Sequence, residues 1–97
     1  MSMIHISCDL HSRVVNIKGH AGFDEYGKDI VCAAVSGITQ YFARIALRYG
    51  GRAIKDAGYL EIVYPEKLDT VADELGNVLE EIARRYPRNV KVEVKRR

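Results

Sequence analysis

Two stripes of apolar residues at helical spacing constrain this chain most. The first runs through Val31, Val35, Ile38, Phe42, Ile45 and Tyr49 and stops at Gly50 and Gly51. The second runs through Leu68, Val71, Ala72, Leu75, Val78, Leu79, Ile82 and Tyr86, with mostly charged residues between, and stops at Pro87 and Asn89. Steps of three and four residues place such side chains on one face of a helix. Helices this short are marginal alone in water, so each needs an apolar surface to cover.

Strands supply that surface. Ile4, Ile6 and Cys8 alternate with His5 and Ser7, and Val14 to Lys18 is rich in β-branched residues, so the two segments predict a hairpin around the polar turn Asp9–Ser12. Arg52 to Asp56 and Tyr59 to Tyr64 predict a second hairpin about Ala57-Gly58, with Leu60 and Ile62 inward. Val90, Val92 and Val94 alternate with Lys91, Glu93 and Lys95 as a last strand. The order ββαββαβ predicts an α+β fold, a mostly antiparallel sheet with two helices packed against it. Strand order cannot be read from the pattern. Residues 1–97 suit a single domain, with no length left for a second.

Composition narrows the function. With 47% hydrophobic and 29% charged residues the chain is ordinary for a globular protein, and no unbroken apolar run approaches the ~18–20 residues of a membrane helix, so no membrane partner is expected. The start, MSMIHISCDL, lacks the pattern of a secretory leader, which makes the cytoplasm the expected location. Two cysteines fit neither a disulfide framework nor a zinc site; reduced thiols and no metal are expected. Cys8, on an apolar strand face, reads as a small core residue. Net charge is +2, with basic residues interspersed among acidic ones except for Lys95, Arg96 and Arg97, which read as a solvated tail too short to predict direct nucleic-acid binding.

The chemistry concentrates in Gly19–Ser36. Strand two delivers Gly19 and His20 at its end; residues 21–28, with Ala21, Gly22, Phe23, Tyr26, Gly27 and Lys28, predict a loop with glycines near both ends. Asp29 reads as the N-cap of the first helix, which places Cys32 in the first turn. Cys32 is off the apolar stripe and groups with Ser36, Thr39 and Ala43. Unpaired N–H groups at a helix start favour a thiolate and an oxyanion, and a histidine in reach can take the thiol proton and return it to a leaving amine. Ser36 lies one turn below Cys32, able either to line a pocket or to bond to the backbone.

Gly19-His20-Ala21, Gly27 and Asp29-Ile30-Val31-Cys32-Ala33-Ala34-Val35-Ser36 closely resemble the signature of the ribosomal-processing cysteine protease family, Prp, including the histidine-to-cysteine spacing. The resemblance implies a Cys32 nucleophile, His20 as proton donor and acceptor, supporting positions at Asp29 and Ser36, and no cofactor. It also implies a substrate, the N-terminal extension of bacterial large-subunit ribosomal protein twenty-seven, with aromatic residues before the scissile bond seated in an apolar groove under the 21–28 loop, and a homodimer. A noncatalytic ribosome-associated adaptor, binding protein through its loop and sheet edge, is the alternative. Thiol redox chemistry lacks a paired C-x-x-C motif.

Overall fold

Period-two burial along the strands builds one five-stranded sheet, and both helices pack on its apolar face. The computed structural model describes residues 3–19 and 26–97, the backbone alone for 26–29. The elements are β1 (Ile4–Asp9), β2 (Val14–Lys18), α1 (Tyr26–Arg48), β3 (Arg52–Asp56), β4 (Tyr59–Val63), a 3-10 turn at Glu66–Leu68, α2 (Asp69–Arg85) and β5 (Val90–Lys95). The element order is the expected ββαββαβ. Strands lie in the order β3-β4-β2-β1-β5, with every pair antiparallel except β1 and β5. A parallel pair requires a crossover, and α2 provides it by carrying the chain from β4 past β2 and β1 to the far edge.

Register aligns the apolar side chains across the strands. Ile6 faces Ile17 and Cys8 faces Val15 between β1 and β2, and Val15 and Ile17 face Ile62 and Leu60 of β4. A one-residue slip would turn this whole set to solvent, so burial holds the register. Cys8 is 1% exposed, and burial pushes its thiol up to about 11, as suits a core residue.

The first helix buries a face rotated from the one its large residues mark. Val31, Val35 and Phe42 are buried, and so are Thr39, Ala43 and Ala46, whereas Tyr49 is 48% exposed and its ring meets the Lys67 ammonium. Small residues on the sheet side allow close packing, and Thr39 satisfies its hydroxyl by donating to the Val35 carbonyl at 2.8 Å. The strip shared by Cys32, Thr39 and Ala43 is thus the margin of the core. Ile30–Arg48 is also long and apolar enough to cross a membrane by length and composition, with a mean hydropathy of 1.5. That corrects the expectation drawn from unbroken apolar runs, because Ser36, Thr39 and Gln40 interrupt the run without lowering its average below that level. One third of that window is buried, on the face that packs on the core, while Ile30, Tyr41 and Leu47 are exposed.

The helix starts earlier than its sequence indicates. α1 begins at Tyr26, so residues 26–28 are helix instead of loop and Asp29 lies inside the first turn; it is not the N-cap. Tyr and Lys are compatible with a helix, no proline intervenes, and extension adds backbone hydrogen bonds that offset the cost of Gly27. Counting from Tyr26, Cys32 falls in the second turn. The orphan N–H groups belong to the first four residues, so Cys32 does not hold the first-turn position expected for it.

A bidentate ion pair ties the β1–β2 turn to α2. Arg13, at φ 62, donates from Nε and Nη2 to the Asp69 carboxylate at 2.9 and 3.0 Å. The basic tail is engaged here as well, not merely solvated: Arg97 reaches Asp73 at 2.7 Å and Arg96 reaches Glu80 at 2.9 Å. The hydrogen bond from Arg13, then the Arg13 and Arg97 charges, hold the Asp69 carboxyl below its ordinary 3.8. A depressed carboxylate stabilises the fold above its unfolded-state pKa, and that contribution is lost as pH falls through the folded value, here below 3.8. Melting curves should therefore show Asp69→Asn less stable than wild type at pH 7, with the gap closing below about pH 3.8. A gap independent of pH would remove the ion pair as its cause.

Candidate active site

The end of β2 is fixed by a glycine that no other residue can replace without strain. Gly19 has φ +88, and a Cβ there would stand 2.5 Å from the Met3 carbonyl oxygen. Its N–H donates to the Gly58 carbonyl at 2.8 Å, fastening the strand end to the β3–β4 turn. The chain leaves this anchor toward His20. His20, Ala21, Gly22 and Phe23 lie outside the described residues, as do the side chains of Tyr26, Gly27 and Asp29.

Cys32 stands at the wall of a groove of about 120 Å³ between α1 and the β3–β4 hairpin. Ser36 and Gln40 continue that wall, Ile4, Ile17, Val35 and Leu60 contribute apolar surface, and Lys55, Asp56, Gly58 and Tyr59 close the other side. The structure thus brings Gly19, Cys32 and Ser36 to one cavity. Gln40 Nε2 donates to Ser36 Oγ at 3.0 Å, which leaves the serine proton free to donate to a second acceptor. A volume of this order, with an apolar lining, takes a side chain about as large as one aromatic ring.

The sequence pattern had not singled out Gln40 or the hairpin residues. Gln40 was legible, since it follows Cys32 and Ser36 at steps of four on the helix. Lys55 and Tyr59 were not, because only strand order brings that hairpin beside α1. Among the described residues no group of three or more His, Cys, Asp or Glu side chains could hold a metal ion.

The two thiols differ in access. Cys32 is partly exposed at the groove while Cys8 is buried, with a thiol at about 11. At pH 8 such a buried thiol is ionised in only about one molecule per thousand. Iodoacetamide at pH 8, read by mass spectrometry of tryptic peptides, should label Cys32 at least ~10-fold faster than Cys8. Equal slow labelling of both would count against an accessible, activated Cys32.

Comparison with known proteins defines the class as a cysteine protease. The family described as cysteine protease Prp matches residues 3–91, and the chain belongs to it. It is 32% identical over 90 residues to the ribosomal processing cysteine protease Prp of Mycoplasma genitalium, across 88% of this chain and 91% of that one. Among solved structures, SMU.848 from Streptococcus mutans superposes with a TM-score of 0.74 at 22% identity, covering 100% of this chain and 96% of that one. The essential ribosomal processing protease Prp from S. aureus, with a covalently linked product peptide, gives 0.72 at 23% identity over 98% of this chain and 100% of that one. At these identities the structural likeness speaks for the fold.

Proposed function

We propose that this cysteine protease removes the N-terminal extension of bacterial large-subunit ribosomal protein twenty-seven, using Cys32 as nucleophile and His20 as its acid and base. The observation that carries the reading is a partly exposed cysteine at the wall of a largely apolar groove, in a chain of the Prp family. The Mycoplasma genitalium relative is named for ribosomal processing, which supports the substrate class.

The substrate strand enters along the groove, and the Cys32 thiolate attacks the scissile carbonyl carbon. The C–N bond breaks as His20 gives its proton to the departing amine, leaving a thioester on Cys32. Water, deprotonated by His20, then hydrolyses the thioester and restores the thiol. No metal or organic cofactor takes part. Ser36 donates a hydrogen bond within the groove, and Asp29 sits about two helical turns before it, in the first turn of α1. Because Cys32 is beyond the first turn, thiolate formation depends mainly on His20 and less on the helix dipole, which falls off within that turn.

The protein works as a cytoplasmic homodimer, without membrane or nucleic-acid partners. Exposed Tyr41 and Val71 flank an apolar cleft between α1 and α2, which supports pairing with a second copy. Incubation with a peptide spanning the junction of the ribosomal protein tests the function. Cleavage by wild type that persists unchanged in Cys32→Ala sinks the assignment.

A further inference from the structure

The outer side of α1 is apolar and uncovered. Ile30, Tyr41 and Leu47 are each more than half exposed, on a helix whose composition is that of a buried element. At 100° per residue, Ile30, Tyr41 and Arg48 fall within about 20° of one line along the helix. Cys32 is half a revolution from Tyr41, on the side that lines the groove.

Tyr41 stands where two depressions of the outer surface meet. One is the cleft toward α2, floored by Phe42, Leu75 and Val78, and the charged side chain in its lining is Glu74. The other is formed with Ile45 and Leu47 and carries Arg44 and Arg48. Arg44, Arg48 and Glu74 are exposed and take part in none of the ion pairs among the described residues. The surface thus bears positive charge on one side of an aromatic centre and negative charge on the other. That pattern is complementary to itself, because a two-fold axis at the centre lays the positive side of each copy over the negative side of the other.

We propose that this chain pairs with a second copy through the outer faces of α1 and α2, with Tyr41 at the two-fold axis and ion pairs from Arg44 and Arg48 to the partner subunit's Glu74. The pairing rests on the homodimer of the proposed function and gives it a face. Burial of Tyr41 and the apolar cleft supplies the driving force, and aromatic side chains are the usual anchors of such contacts. The charges set the orientation and disfavour other pairings. With Cys32 on the far side of α1, the groove of each copy stays open.

Sedimentation velocity on the full chain at low salt tests the face by charge exchange. Wild type should sediment as a dimer. A variant carrying Arg44→Glu and Arg48→Glu sets acid against Glu74, and Glu74→Arg sets base against Arg44 and Arg48, so each alone should dissociate at least ~10-fold more readily than wild type. Mixed in equal amounts, the two variants present opposite charges at both ends of the contact and should form a heterodimer. That recovery also shows that both variants are folded. A wild-type dimer that neither variant weakens, or weakened variants that mixing does not restore, overturns this face while the homodimer stands. A wild type that stays monomeric at micromolar concentration removes the homodimer and the face with it.

Discussion

Replacing Cys32 by alanine is expected to lower kcat on a junction peptide by roughly 10³-fold or more while leaving the fold in place. On the proposed mechanism the loss is large because the sulfur forms and breaks the covalent intermediate, and no neighbour among the groove residues can substitute for it. The fold survives because Cys32 lies at the core margin, packed against buried residues without being one of them. His20→Ala should cost a comparable factor, and the double variant little more, since residues acting as one unit lose activity together. Peptide affinity is the second readout. A Cys32→Ala protein that binds the peptide normally but does not turn it over fits a nucleophile. If instead a noncatalytic adaptor is the right description, wild type binds without cleaving and Cys32→Ser changes nothing.

Gly19→Ala should destabilise the protein by roughly 2–4 kcal/mol. Two costs add there: a left-handed backbone that an L side chain adopts at about 1–2 kcal/mol, and a Cβ 2.5 Å from the Met3 carbonyl oxygen, which is backbone and cannot swing aside. Relief requires β1 and β2 to separate at that end or the Gly19 to Gly58 hydrogen bond to break. Either movement disturbs the strand end that precedes His20, so on the proposed mechanism activity should fall even at temperatures where the variant remains folded. Gly37→Ala is the control. Nothing lies within 4 Å of a Cβ at Gly37, on the exposed side of α1, so helix propensity alone should make that variant up to ~1 kcal/mol more stable. Urea unfolding measures both, and a Gly19→Ala protein within about 0.5 kcal/mol of wild type would show that the strand end yields without cost.

The groove and the two thiols explain why one cysteine is chemically available and the other is not. Cys8 alternates with His5 and Ser7 on a central strand, so period two alone buried it. Cys32 needed two layers of information. Helical phasing set it beside Ser36, and packing then made that strip the border of the core, through the unexpected burial of Thr39, Ala43 and Ala46. Large apolar residues mark a stripe by composition, but contact with a sheet is closest where side chains are small, so phasing by size alone misplaced its centre by part of a turn.

Local periodicity by itself determined the type and order of the five strands and two α-helices, the inward faces of β1, β4 and β5, and the segment holding the histidine and cysteine. Those are properties of neighbouring residues, since a strand alternates every two residues and a helix repeats every 3.6. Tertiary structure alone decided that β5 pairs parallel with β1, that α1 begins at Tyr26, and that the β3–β4 hairpin faces Cys32 across a groove. The strand pairing and the groove depend on contacts between residues far apart in the chain, whose stability comes from burial that no single segment can achieve. Lys55 and Cys32 share a cavity because β4 pairs with β2 and carries its hairpin partner beside α1.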